Sequence, residues 1–154
     1  HASKALIVLG VAAITFPATW ERSPVQARGQ AFSSVWQNFD RAKIRKLVAE
    51  GKTVLVDVTA DWCVTCQVNK RLVLHVGDVG EKIKSRKIIA MRADWTRPSD
   101  KIPAYLARFG RYGIPFNAVY GPQAPNGIVL PELLTSGLVL GAFEEASAKT
   151  VVSK

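Results

Sequence analysis

The sequence predicts an α/β fold, in which strands and helices alternate along the chain to form a layered domain. Three observations support this. Thr53–Thr59 (TVLVDVT) is β-branched and nearly all apolar, as a central buried strand should be. Apolar runs typical of strands then alternate with segments of helical periodicity. The chain has 154 residues, of which 48% are hydrophobic and 21% charged, which suits one compact globular domain.

An apolar run at residues 5–16 (ALIVLGVAAITF) follows Lys4 and stops at Pro17. It is shorter than the roughly 20 residues that cross a bilayer. It is interpreted first as the end of a transmembrane helix. The alternatives are a signal peptide with small residues for cleavage at Val25–Ala27, and a buried element of the domain. Either of the first two interpretations would place the rest of the chain on the far side of a bacterial inner membrane.

Residues 17–30 are polar, contain proline and glycine, and have no periodicity, which indicates a linker. Residues 1–30 are therefore assigned to the apolar stub and linker, and residues 31–154 to the folded domain. Asp40 is predicted to cap the first helix and Gly51 to stop it. Strands are predicted at Phe32–Trp36, Thr53–Thr59, Lys87–Ala93, Phe116–Tyr120 and Ile128–Leu130, and helices after Asp40, from Cys63, at Val79–Ser85, at Asp100–Phe109 and at Leu138–Ala148.

The net charge of +9 raises the question of nucleic-acid binding. The basic residues are spread over helix faces and are accompanied by no arginine-rich arm or zinc-finger spacing. We therefore predict no nucleic-acid partner, and interpret the charge as solvated helix faces with a secondary role in attracting acidic partners. Eight of the 21 basic residues form two such groups: Arg41, Lys43, Arg45 and Lys46 on one helix, and Lys82, Lys84, Arg86 and Lys87 on another.

The chemistry of the chain is predicted to reside in a Cys63-Val64-Thr65-Cys66 motif, which holds its only two cysteines. A disulfide-stapled secreted scaffold would need more cysteines at wider spacing. A tetrahedral zinc site would need further ligands, and the only histidines are His1 and His75. No metal or other cofactor is therefore predicted beyond the redox-active Cys63–Cys66 disulfide itself. A soft ion such as Cu(I) held by the two thiolates is retained as an alternative.

The placement of the motif indicates thiol–disulfide exchange. Cys63 follows a buried strand and starts a helix, where unpaired N–H groups and the helix dipole favour a thiolate. The pKa of Cys63 should therefore fall below about 8.5, the value of a free thiol. Cys66 lies one turn further on and can attack a mixed disulfide formed at Cys63.

These residues carry a family resemblance. WCVTC after a strand that contains an aspartate, with Gly113-Ile114-Pro115 some fifty residues later, resembles the thioredoxin superfamily. More narrowly, VDVTADWCVTCQVNK, RADWTR, FGRYGIP and LPELLT are similar to the C-terminal domain of the membrane thiol:disulfide interchange reductases of the DsbD and ScsB types. The resemblance covers about Phe32 to Ala148.

The resemblance implies a thioredoxin-like fold with a central mixed β-sheet flanked by helices. It also implies a domain at the periplasmic face of the bacterial inner membrane. Such a domain receives electrons from a membrane-embedded donor domain and passes them to periplasmic proteins that contain disulfides. An oxidase or isomerase of the same fold is the alternative within this class.

Residue by residue, the resemblance makes Cys63 the attacking cysteine and Cys66 the resolving one. Pro115 becomes a cis-proline that faces the dithiol, and Ile114 offers backbone groups to an extended substrate segment. A cis X–Pro bond occurs at only about 5–6% of such positions. The alternative for Gly113-Ile114-Pro115 is a plain loop before a strand.

Three further side chains are predicted to belong to the site. Asp57 interrupts an apolar strand, so burial should raise its pKa. The family resemblance makes it assist proton transfer at the resolving cysteine, unless it faces solvent. Trp62 is expected to shield the dithiol and to contact substrate. Lys70 shares a helix face with both cysteines and should tune their pKa values where relatives commonly have an acidic residue. The alternative is that Lys70 extends into water without effect.

Overall fold

The computed structural model describes residues 34–147, which form one five-stranded sheet with five helices. Each element is named here in chain order. The strands are β1 (Gln37–Asn38), β2 (Thr53–Thr59), β3 (Ile88–Asp94), β4 (Phe116–Gly121) and β5 (Ala124–Val129). The helices are α1 (Arg41–Ala49), α2 (Val64–Asn69, continued by a π-helical turn at Lys70–Leu74), α3 (Gly77–Lys84), α4 (Lys101–Ala107) and α5 (Ser136–Ala146).

The strands lie in the order β1-β3-β2-β4-β5. β1, β3 and β2 run parallel, whereas β4 pairs antiparallel with both β2 and β5. The sheet is therefore mixed, and the thioredoxin-like α/β architecture predicted from the sequence is confirmed. β2 is the central strand, and all seven of its residues are buried.

Most of the predicted elements are present with boundaries shifted by a few residues. Asp40 caps α1 as predicted, since its side chain accepts the N–H groups of Ala42 and Lys43. The predicted strand at Phe32–Trp36 is wrong in position: its last three residues are not in a strand, and pairing with β3 occurs at β1. β1 is two polar residues long, so neither length nor hydrophobic alternation marks it in the sequence.

Successive side chains of β2 point to opposite faces of the sheet, and each face is covered by its own apolar layer. Leu55 faces a cluster formed with the π-helical turn, α3 and α5, which includes Leu74 and Phe143. Val56 faces the opposite cluster, formed with α1 and α4, which includes Ile44 and Tyr105. We call these the dithiol face and the opposite face, because α2 begins above the first of them.

The register of β2 and β4 places two distant segments at one end of the sheet. Val58 pairs with Phe116, so the residues that follow β2 lie near those that precede β4. These residues are Cys63 and its neighbours on one side and Ile114-Pro115 on the other. The sheet itself therefore assembles the candidate site.

The predictions for the apolar run at residues 5–16 and the linker at 17–30 lie outside the described residues. Across 34–147, no helix combines the length and the hydrophobicity needed to span a bilayer.

Candidate active site

Cys63 and Cys66 form a disulfide at the start of α2, with their Cα atoms 5.3 Å apart. Cys63 is the N-cap residue, with extended backbone angles of φ −86° and ψ 98°, and its sulfur accepts the Cys66 N–H at 3.2 Å. Both residues are buried, with 6% and 1% of their surfaces exposed. A sulfur at this position faces unpaired backbone N–H groups, which stabilise negative charge on it once the disulfide is reduced.

The turn that presents Cys63 is held by side chains of two neighbouring segments. Gln67 donates its side-chain amide to the Ala60 carbonyl at 3.1 Å. The Asp61 N–H donates to Thr96 Oγ1 at 3.0 Å, and the Thr96 N–H donates in turn to Asp94 Oδ1 at 2.9 Å. The RADWTR segment, which begins in β3 and continues beyond it, thus anchors the turn before the dithiol, a role that the sequence did not reveal.

The Ile114–Pro115 peptide bond is cis, as predicted, whereas the contact of Pro115 itself with the dithiol stays a prediction. Ile114 packs against the cluster formed by Ala60, Cys63 and Cys66. Gly113-Ile114-Pro115 is therefore not a loop remote from the site. Ile114 thus lies beside the disulfide, and its binding of an extended substrate segment through backbone groups stays a prediction.

Asp57 is buried on the dithiol face with 1% of its surface exposed, so the alternative that it faces solvent is wrong. Burial raises its pKa to about 6, although the positive charges of Lys70 and Arg92 oppose that rise. Oδ1 accepts a hydrogen bond from the Asn117 side-chain amide at 3.4 Å, while Oδ2 has no partner among the described residues. This carboxyl group can therefore gain or lose a proton close to neutral pH.

Lys70 is half-buried at the end of α2 and acts electrostatically on Asp57. Burial lowers the pKa of its ammonium group, and the charge of Asp57 partly offsets that effect. Within residues 34–147, the two groups form no ion pair within 4 Å. Lys70 therefore adds positive potential near Asp57 without a direct contact, and its effect on the sulfurs stays a prediction.

Sequence reasoning missed three polar residues around the site. Arg92 and Asn117 are the direct neighbours of Asp57 on β3 and β4, so a polar row crosses the sheet beneath α2. Asn69 is buried, donates to the Glu132 carbonyl at 2.7 Å and accepts the Leu134 N–H at 3.0 Å. It thereby fixes the loop before α5 to the dithiol helix. Arg92 and Asn69 lie within the segments RADWTR and VDVTADWCVTCQVNK, but neither segment shows which residues they contact, and Asn117 lies in no quoted motif.

Exposed apolar side chains occur on each segment that borders the dithiol. Trp62 is 63% exposed, so much of its surface is available to a partner, and its predicted shielding of the dithiol stays a prediction. Its assignment to substrate binding stays a prediction. The other exposed apolar side chains of these segments are Val64, Tyr112 and Leu133.

No group of three or more His, Cys, Asp or Glu side chains in the described part of the chain is arranged to hold a metal ion. The ring of His75 lies beside that of Trp36, with the two ring centroids 6.1 Å apart. Burial, together with the nearby cations Arg92 and Lys70, lowers the pKa of His75 to about 4.

Comparison with known proteins agrees with this geometry. A family model described as thioredoxin-like matches residues 35–122. The thiol:disulfide interchange protein DsbD of Ralstonia nicotianae is 33% identical over 108 residues, which cover 67% of this chain and 17% of the relative. The protein DsbD 1 of Pseudomonas aeruginosa is 28% identical over 162 residues, which cover 89% of this chain and 27% of the relative. The chain thus spans less than a third of the length of either relative.

Solved structures of the Neisseria meningitidis DsbD C-terminal domain share the fold. The oxidised form superposes with a TM-score of 0.56 at 20% identity, covering 71% of this chain and 98% of that domain. The reduced form gives a TM-score of 0.54 at 21% identity, covering 69% of this chain and 92% of that domain.

Proposed function

This chain belongs to the thioredoxin-like family, and on that premise we propose that it is a thiol–disulfide oxidoreductase module working as a protein-disulfide reductase. It takes electrons from a membrane-embedded donor domain and passes them through Cys63 and Cys66 to disulfides of periplasmic partner proteins. Its place of action is the periplasmic face of the bacterial inner membrane. The relatives named as thiol:disulfide interchange proteins support this proposal.

One observation carries it: a CxxC disulfide lies at the start of a helix, and Ile114, the residue before Pro115, packs against it. In the reduced protein, the Cys63 thiolate attacks a partner disulfide and releases one partner thiolate. The Cys66 thiolate then attacks the Cys63 sulfur, and the second partner thiolate leaves. Two electrons pass to the partner, and the Cys63–Cys66 disulfide remains.

Asp57 supports the second step as a proton acceptor. Cys66 must lose its proton to attack, and the carboxyl group of Asp57 is buried on the same face of the sheet with a pKa of about 6. A carboxylate with this pKa accepts a proton more readily than an ordinary one with a pKa near 4.

The equilibrium of the protein with reduced and oxidised glutathione tests this proposal. A reduction potential of about −270 mV for the Cys63–Cys66 pair, the value of thioredoxin, would support a reductase. A potential near about −120 mV would instead support the oxidase alternative. Metal analysis of the reduced protein adds a second test, because a tightly held stoichiometric copper ion would favour the soft-metal alternative over electron transfer.

A further inference from the structure

A small cavity on the opposite face of the sheet is lined by three arginines. Its volume is about 130 Å³, and it lies between α1, the end of α4 and the β4–β5 hairpin. Tyr120, which forms part of its wall, pairs with Val54 at the end of β2 away from the dithiol. It is four residues along β4 from Phe116, roughly 13 Å at strand spacing. We call it the arginine pocket; its polar lining consists of Arg41, Arg45, Arg108, Tyr120 and Asn126.

The positive charge of the arginine pocket is not neutralised by protein groups. No carboxylate lines the cavity, and across residues 34–147 none of its three arginines forms an ion pair within 4 Å. Asp40 precedes Arg41 in the chain, but its Oδ1 already accepts the Ala42 and Lys43 N–H groups as the cap of α1. All three arginines are exposed, so water and salt screen much of their mutual repulsion, and an anion between the guanidinium groups would offset the rest.

A buried tyrosine pair adds a hydrogen-bond donor. The hydroxyl oxygens of Tyr105 and Tyr120 are 2.6 Å apart, so one of their two protons is used in the bond between them. Burial raises the pKa of both phenols, so both remain protonated. In the described part of the chain neither hydroxyl has another partner, and Tyr120 is the one that lines the cavity. If Tyr105 donates to Tyr120, the remaining O–H is available to an acceptor in the pocket.

We propose that the arginine pocket binds a tetrahedral oxyanion of the phosphate class. The planar guanidinium groups of Arg41, Arg45 and Arg108 match the oxygens of such an anion, and the Tyr120 hydroxyl donates to it. The cavity has the volume of about four water molecules, so it accommodates a single anionic group and is far smaller than a pocket for a drug-sized ligand. The anion is supplied either as free phosphate or as the phosphate of a lipid headgroup.

Titration of the full chain with inorganic phosphate at constant ionic strength, with chloride as the reference anion, tests the proposal. NMR signals of the arginine Nε–H groups report binding in the unmodified protein. We expect saturable shifts of the Arg41, Arg45 and Arg108 signals with phosphate. Shifts no larger than those with chloride would mean that the arginines only respond to ionic strength, and would overturn the proposal.

Matched variants then locate the binding. Arg108→Gln should weaken phosphate binding about tenfold or more, and Tyr120→Phe should weaken it by a smaller factor. Lys43→Gln removes the same charge from α1 outside the cavity and should leave the affinity within about twofold. Equal losses in Arg108→Gln and Lys43→Gln would show a diffuse charge effect and would contradict a built site.

Vesicles distinguish the two sources of the anion. Binding to phosphatidylglycerol-containing vesicles but not to phosphatidylcholine vesicles, abolished by free phosphate and by Arg108→Gln, would support a lipid headgroup. Binding of inorganic phosphate without vesicle binding would support a free anion. Vesicle binding that free phosphate and Arg108→Gln leave unchanged would overturn the proposal, because the attachment would then be due to the remaining basic residues of the surface.

Discussion

The Asn117 side-chain amide donates to Oδ1 of Asp57 at 3.4 Å, across the antiparallel pair of β2 and β4. This is a long hydrogen bond, and it leaves Oδ2 of Asp57 without a partner among the described residues. A buried carboxylate with such weak support is costly in its charged form. Burial raises the pKa of Asp57 to about 6, although the charges of Lys70 and Arg92 oppose that rise.

Cys66→Ser should accumulate mixed disulfides with partner proteins, whereas Cys63→Ser should not. Without the resolving thiol the attack by Cys63 stops at the intermediate, and without Cys63 no attack begins. Non-reducing gel electrophoresis after incubation with a disulfide substrate measures the trapped species. Faster alkylation of Cys66 than of Cys63 in the reduced wild type would reverse the assignment.

Asp57→Asn should stabilise the oxidised protein at pH 8 by up to about 3 kcal/mol, and it should slow the resolution of mixed disulfides by the reduced protein. The folded carboxyl group has a pKa of about 6, against the ordinary aspartate value of 3.8, so between these pH values the folded state retains a proton that the unfolded chain has lost. In the wild type, the contribution of Asp57 to the free energy of unfolding therefore falls as the pH rises from about 4 to about 6, and it stays low above that range. The increase in the free energy of unfolding caused by Asp57→Asn should shrink below pH 6 and vanish near pH 4.

Asp61→Asn is the matched control, because it makes the same change at an exposed carboxylate beside the dithiol. Urea unfolding of both variants between pH 4 and pH 8 gives the comparison. The prediction would be contradicted if Asp57→Asn changed the stability equally at every pH, or if Asp61→Asn increased it as much. Either result would show that burial of Asp57 has no energetic cost.

Lys70→Glu should raise the pKa of the Cys63 thiol by about half a unit to one unit. The substitution replaces a half-buried positive charge that acts on Asp57 with a negative one, which disfavours the thiolate. Thiolate absorbance measured against pH in the reduced protein gives this pKa.

Arg71→Glu makes the same charge reversal one residue further along, at an exposed position. Its effect on the Cys63 pKa should be clearly smaller, since solvent and salt screen an exposed charge. Equal shifts in the two variants, or a downward shift in Lys70→Glu, would leave Lys70 as a surface residue without a specific role.

Asn69→Ala should destabilise the protein by roughly 1–3 kcal/mol, because it leaves the Glu132 carbonyl and the Leu134 N–H without the partner they have now. Hydrogen exchange should accelerate at the Leu134 amide. Asn38→Ala, the same change at an exposed residue, should stay within about 0.5 kcal/mol of wild type. Unchanged exchange at Leu134 would mean that other contacts hold this loop.

Much of the site could be predicted from the sequence because it is built from local patterns. The apolar strand at Thr53–Thr59 leads directly into Cys63 and Cys66, so the dithiol had to lie at the end of a central strand and the start of a helix. The cis bond at Pro115 was predicted from the family resemblance alone, since residue preferences make such a bond rare.

The sequence by itself therefore determined the α/β class, the central strand and the redox-active pair, because hydrophobic periodicity and short motifs act over a few residues. Only the tertiary structure decided what surrounds them. Asn117 meets Asp57 across 60 residues of chain, and Asn69 holds a loop 63–65 residues away. The three arginines of the arginine pocket likewise come from two helices that only the sheet brings together. Such contacts depend on strand register and helix packing, which are properties of the whole fold and leave no pattern in any local stretch of sequence.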